Sequence, residues 1–427
     1  MQHRTDVQHT LGGDHAASTG VPVPIGVAAL SRLAYGGGDL GAARLYLAEQ
    51  MATSGNAAAC LLDLATVETI LGRPAIAEAL QVAALSHSRL FRRPSIYADD
   101  YGVRVLAIMA PGNLMANTPI DFLLEDSDIT LDMLFCWPGE DLPQPLPEHD
   151  AIFVAVGESD AAAPLLANLT RQLADCATPL LNRPDRIAGL SRTAVAAGLR
   201  HIPGLAAPET VRASRATIAV AAEGDTLAKL LDLPPGPLAI IARPIGSHAG
   251  SGLARLDTDA DVLSYLEQRS ENEFFLSRYV DYRSTDGLFR KYRIVFVEGV
   301  PFAGHMAISL NWMVHYLNAG MWDDADKRHE EARWMADFDA DFSVRHAAAF
   351  AALHAAIGLD YFVIDCAETV AGELLLFEAD PAMLVHAMDP PGPFEYKRAP
   401  MQKIFHAVQL MIRQCAASPA VVANQNG

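Results

Sequence analysis

Cysteine is scarce and unpaired. The five in 427 residues (Cys60, Cys136, Cys176, Cys366, Cys415) form no CxxC pair. That argues against a disulfide framework and a zinc–thiolate site, and it fits reduced thiols in a cytoplasm. Long apolar runs are missing as well, so no transmembrane helix is expected. The opening stretch, MQHRTDVQHTLGGDHAASTG, lacks an apolar centre and does not read as a signal peptide. Positive charge is in short supply: 32 Lys and Arg against 51 Asp and Glu give a formal net charge of −19. Nucleic acid and anionic membranes require a basic face, so neither is expected as a partner, although local basic pockets for phosphate are compatible with this balance.

What is present is ordinary for a globular chain: 51% hydrophobic and 19% charged residues, enough length for two or three domains. Residues 1–25 read as a disordered leader. Residues 26–97 are rich in alanine, and helices are predicted near 26–35, 39–53, 57–71 and 75–91, with turns at GGGD, SGN and GRP. Gly38 and Gly72 lie 34 residues apart and are followed at one offset by Ala43 and Ala77. A period of that length in helix pairs is the tetratricopeptide pattern; a plain antiparallel helical bundle is the other reading.

After RRPS the grammar changes. VRVLAIMA, DITLDMLF, HDAIFVAVG and TPLLN are short apolar strands, and a helical stretch follows the third. This predicts a parallel α/β layer over 101–185, and no G-x-G-x-x-G marks it as a dinucleotide site. From 186 to 412 come a helix, a strand–glycine loop–strand (PLAIIARPIGSHAGSGLARL), the strand FFLSRYV, a hairpin turning at Glu298–Gly299, and a second hairpin, DYFVIDCAE and ELLLFEAD. Residues 413–427 read as a disordered tail. The expected class is α/β (α+β).

Chemistry concentrates in the third region. Glu378 and Asp380 are i and i+2 on one strand and share a face. Asp365 interrupts the apolar run YFVIDCA on the paired strand. Three carboxylates converging there predict one or two shared divalent ions such as magnesium; without a cation they would repel and at least one pKa would rise. Arg243 ends an apolar strand, and the loop after it offers Gly246, Ser247, Gly250, Ser251 and Gly252. Glycines let backbone N–H groups turn toward an anion, but no Lys follows the last glycine, so this is not a Walker A loop. Lys291 and Arg293 share a face of FRKYRIVFV, and a guanidinium can take phosphate bidentately.

These stretches, in their order and spacing, resemble the ATP-grasp superfamily, in particular its glutathione synthetase-like and ribosomal-protein glutamate ligase branches, over about residues 100–412. GLDYFVIDCAETVAGELLLFEADPAM resembles the metal hairpin, which implies Asp365, Glu378 and Asp380 as magnesium ligands. ARPIGSHAGSGL resembles the flexible loop over the triphosphate, with Arg243, Ser247, Gly250 and Ser251 toward ATP. KYRIVFVEGVPFAGHM places Arg293 at the phosphate-binding position, with Lys291 beside it. FFLSRYV resembles the hinge that holds adenine by its backbone, at Ser277, Arg278 and Tyr279. NRPDRIAGLSRTAVAAGL resembles the opening segment, with Arg192 reaching the phosphates. HMAISLNWMVHYLNAGMW follows the arginine hairpin, where Asn318 matches an acyl-acceptor or phosphate contact. The resemblance also divides the chain into a pre-ATP-grasp domain at 101–185 and a two-lobed ATP-grasp domain at 186–412. The sequence departs from the family at three of these positions: Asp380 where Asn is usual, Lys291 where an acid is usual, and Ser277 where an acidic hinge residue is common.

The activity implied is an ATP- and magnesium-dependent carboxylate–amine or carboxylate–thiol ligase working through an acyl phosphate, on a small molecule or a peptide or carrier-linked substrate. A catalytically inactive binding scaffold and a phosphotransferase of the same fold are the alternatives. The helical N-terminal region suits a protein partner or a homodimer contact. His386, beyond the acids, faces either substrate or core.

Overall fold

The computed structural model describes residues 20–53, 55–96, 102–233, 238–247, 250–390 and 392–418. Most of the leader and all of the tail after 418 therefore lie outside the described residues. The chain forms two compact units: residues up to Ala188 with Leu359–Phe362 and the stretch from Asp380 onward, and Gly189–Gly358 with Val363–Ala379.

The first unit begins with four helices: α1 (Val27–Tyr35), α2 (Leu40–Thr53), α3 (Ala57–Ile70) and α4 (Pro74–His87). The turns after α1 and α3 place Gly37 and Gly72 at φ of 77° and 73°, a region that costs other residues strain. Ala43 and Ala77, at the repeated offset, are both buried. Ile25, Leu30, Leu47, Leu64 and Val67 form the core of this layer. Residues 21–25, expected as the end of a disordered leader, are held in place instead. Asp63 accepts hydrogen bonds from the backbone N–H groups of Ile25 at 2.7 Å and Gly26 at 3.0 Å. Pro22 accepts one from Arg92 N–H.

The expected helical region also ends differently, because Leu90–Arg93 is a strand, β1. It joins β2 (Arg104–Met109), β3 (Thr130–Phe135), β4 (Ala151–Val154) and β5 (Leu180–Leu181) in the order β1-β3-β2-β4-β5. β1 runs antiparallel to β3, and the remaining pairs are parallel. Every residue of β3 and β4 is buried, as expected for a sheet covered on both faces. LFRR looks polar for a strand, but Arg92 pairs with the wholly buried Asp132 through two hydrogen bonds of 2.6 and 2.7 Å. The C-terminal helix Arg398–Ala417 belongs to this unit and takes in the first residues of the expected tail. His386 lies here too, its ring 6.0 Å from that of Tyr35 and its Nδ1 accepting from Met388 N–H.

The second unit carries two sheets. One has β7 (Thr210–Ser214), β10 (Glu273–Arg278), β8 (Ile240–Pro244) and β9 (Ala254–Leu256) in that order, all antiparallel. It packs on the helices Arg215–Glu223 and Asp259–Glu267 around Ile218, Ile240, Val262, Phe274 and Leu276. The other has β12 (Val300–Ser309), β11 (Phe289–Val297), β13 (Tyr361–Glu368), β14 (Leu374–Asp380) and β6 (Leu205–Ala206) in that order. Both predicted hairpins are present. Glu298 and Gly299 turn the first with φ of 49° and 82°, the doubly positive pattern that matches strand twist. A Cβ at Gly299 would also meet the His354 ring at 2.7 Å.

Candidate functional site

β11 decides where the charges go. Alternation sends Arg290 and Tyr292 to one face and Lys291 and Arg293 to the other. On the first face Arg290 is taken up by Asp286 and Glu330. On the second, both cations reach across to Asp365 on neighbouring β13. Lys291 Nζ lies 2.6 Å from Asp365 Oδ2, and Arg293 Nε lies 2.8 Å from Oδ1. The Arg293 fork is completed by a 3.0 Å bond to Oδ2. The Asp365 side chain is only 4% exposed. Burial by itself would raise its pKa, but Arg293 and then Lys291 outweigh burial and hold the carboxyl far below the usual carboxylate range.

Gly304 makes this geometry fit. It faces the break in register between Arg293 and Ile294, and a Cβ there would stand 2.9 Å from the Arg293 carbonyl oxygen and 3.1 Å from its Cγ. Gly304→Ala is expected to cost about 1–3 kcal/mol by overpacking, read as a lowered Tm, and to push Arg293 off Asp365.

A second cluster adjoins the first. Helix α5 (Arg192–Leu199) is capped by Ser191, whose hydroxyl accepts from Ala194 N–H. Its first residue, Arg192, donates to the Phe377 carbonyl at 3.2 Å and to the Glu378 carboxylate on β14. Arg243, from β8 in the other sheet, is close enough for its charge to be felt here. Burial and then the charge of Arg192 push its pKa down to about 10, with Glu378 opposing. Glu378 is itself held below its usual value: burial raises it, but Arg192 and Arg243 prevail, and Asp365 adds an opposing charge. The arginines, the lysine and the two carboxylates thus form one electrostatic group. Two histidines join it: the charge of His305 acts on Asp365, and His315 is lowered by burial and by Lys291 and Arg293.

The remaining expected residues have distinct local partners. Ser247 anchors the glycine turn: its hydroxyl donates to the Pro244 carbonyl at 2.8 Å, and its own carbonyl accepts from Arg243. Gly250 has φ of 76°, and a Cβ there would lie 3.5 Å from Met313 Sδ; Ser251 follows it in the turn. His248 and Ala249 of this loop lie outside the described residues. Ser277 and Arg278 sit in the central strand of their sheet, paired on β8 with Ile241 and Ile240, so their backbone is inside the ladder. Tyr279 N–H donates to the Ala239 carbonyl at 2.9 Å. Its ring packs edge-on to Trp312, and the Arg255 guanidinium lies 4.1 Å over it. Asn318 Oδ1 accepts from His315 N–H at 3.1 Å and so closes the short turn that carries His315.

The expectation of a carboxylate cluster for metal is not met. Among the described residues no group of three or more His, Cys, Asp or Glu could hold a metal ion. The physical reason is pairing. Asp365 is occupied by Lys291 and Arg293, and Glu378 by Arg192. Asp380 turns to its own chain, where Oδ1 accepts from Ala382 N–H at 2.7 Å, as an aspartate does in a turn. The cations outweigh the repulsion between Asp365 and Glu378, so the pKa values of both fall rather than rise. Magnesium does not fit this donor set as it stands.

Three contributors were not singled out from the sequence. Glu331 is wholly buried and accepts from Met306 N–H and Tyr316 hydroxyl, each at 2.9 Å, so it fixes the start of the loop after β12. Arg255 covers Tyr279, and Gly304 makes room for Arg293. Nothing in ADKRHEEARWMAD separates Glu331 from its charged neighbours, whereas the glycine in PFAGHM, inside a strand, was a usable signal of close backbone approach.

No family model matches the chain, and no curated protein does. Solved structures are similar to it. One is D-alanine–D-alanine ligase from Bacillus anthracis complexed with ATP, at 12% identity and a TM-score of 0.43, over 73% of this chain and 99% of that one. Another is a RimK domain ATP-grasp protein from Sphaerobacter thermophilus, at 14% and 0.40, over 73% and 99%. A third is VanG D-Ala:D-Ser ligase from Enterococcus faecalis, at 12% and 0.45, over 74% and 99%. At such scores these likenesses are distant, and the functional reading rests on the chain's own residues.

Proposed function

We propose that the second unit binds the polyphosphate of ATP and that the protein is an ATP-dependent ligase joining a carboxylate to an amine or thiol. One observation carries this reading. In a chain of net charge −19, Arg192, Arg243, Lys291 and Arg293 gather around Asp365 and Glu378 among the described residues. This concentration of positive charge suits a polyanion, and the mutual repulsion of Arg192 and Arg243 is relieved when phosphate oxygens enter. The segment after Arg278, with Tyr279 under Arg255, is where the base would lie against backbone.

In this reading the substrate carboxylate oxygen attacks the γ-phosphorus, the bond to the β–γ bridging oxygen breaks, and ADP leaves. The acceptor nitrogen or sulfur then attacks the acyl carbon and gives up its proton as inorganic phosphate departs. Arg293 and Arg243 hold and neutralise the phosphoryl oxygens, a matter of positioning and charge rather than covalent help. His315, whose pKa is lowered by burial and by Lys291 and Arg293, is a nearby group able to accept the acceptor's proton.

The test is to incubate the protein with ATP and pools of amino acids and small carboxylates, with and without hydroxylamine. ADP and phosphate released together, with a hydroxamate trapped, is the expected result. Phosphate retained on a product would make it a phosphotransferase. AMP with pyrophosphate, or nucleotide bound without turnover, would overturn the ligase reading.

A further inference from the structure

We infer that this site takes the nucleotide polyphosphate without a divalent cation, because Lys291 and Arg293, held beside Asp365, already supply the positive charge an ion would bring. The inference rests on the nucleotide reading above. Magnesium is ordinarily held between a few carboxylate oxygens and the phosphates it accompanies. Here Asp365 has both oxygens engaged, by Lys291 at 2.6 Å and by the Arg293 fork at 2.8 and 3.0 Å. Glu378 is bound by Arg192 and faces the charge of Arg243. Asp380 is bonded to its own turn. No group of three such ligands exists among the described residues.

An ion placed between Asp365 or Glu378 and the phosphates would sit among chain-borne cations that already neutralise these acids. Four positive side chains can instead neutralise a triphosphate directly. Arginine suits this role because its planar fork matches two phosphate oxygens and keeps its charge when buried. Lys291 is the residue that tips the balance: an acid at that position would add a ligand, whereas an ammonium adds the charge an ion would have brought.

Calorimetric titration of the full chain with ATP tests this, once in EDTA and once in excess magnesium. The affinity in EDTA is expected to equal or exceed that in excess magnesium, since the ion makes no protein contact and ties up free nucleotide. Lys291→Met should weaken ATP binding in EDTA by about tenfold or more, the loss of a charge-assisted contact, with no rescue by magnesium. Lys291→Asp should make binding magnesium-dependent; Lys291→Met, which introduces no new acid, covers the case in which it fails to fold. Binding of wild-type protein only in magnesium would overturn the inference and leave the nucleotide reading standing. Binding in neither condition would overturn both.

Discussion

Asp365→Asn is expected to destabilise the folded protein by about 3–5 kcal/mol, the cost of removing one partner from a buried ion pair. The sign is the informative part. Three acids facing one another would gain stability when one lost its charge. In this structure the substitution leaves Lys291 and Arg293 side by side without a counter-charge, at a position where the acid was 4% exposed. The pH dependence follows. The Asp365 carboxyl titrates lower in the folded than in the unfolded chain, so its contribution is complete above the unfolded value of about 4 and is lost as pH falls below it. Chemical denaturation across this range should show wild type and variant far apart near neutrality and drawing together in acid. A variant as stable as wild type would mean that the two cations do not depend on Asp365.

Arg243→Met should show the opposite split, lost binding with kept stability. Arg243 is buried beside Arg192, and both its burial and that neighbour work against its charge. Removing it relieves repulsion in the empty site, so the melting temperature should hold or rise slightly. A hydrogen bond between charged groups is worth about 1.5–3 kcal/mol, so ATP affinity should fall by about tenfold to 150-fold. Fluorescence titration with an ATP analogue, paired with a thermal melt, reads both quantities. Equal losses of binding and stability would assign Arg243 to structure alone, as the anchor of the turn at Ser247.

Much of the framework was legible because it is local. Alanine-rich stretches and glycine turns mark α1 to α4, and apolar runs mark β3, β4, β13 and β14. Glu298–Gly299 carries the chemistry of a tight turn. What escaped depends on pairing between distant segments. LFRR is polar, and it becomes a strand only because Asp132 waits on β3 to receive Arg92. In the site, the period of two correctly put Lys291 and Arg293 on one face, but it does not say which strand lies beside that face. With β13 there, the residues that read as phosphate ligands are also partners of Asp365, and an expected metal cluster becomes a set of ion pairs. Asp380 shows the limit most plainly: strand alternation gave it a face, while its carboxylate satisfies the backbone two residues on.

The central claim is that the basic group of the second unit holds nucleotide phosphates, and a crystal structure with a non-hydrolysable ATP analogue tests it most directly. The account predicts phosphate oxygens within hydrogen-bond distance of Arg243 and Arg293, with the base against the chain that follows Arg278. An analogue bound elsewhere, with Arg192, Arg243, Lys291 and Arg293 making no contact to it, would contradict it.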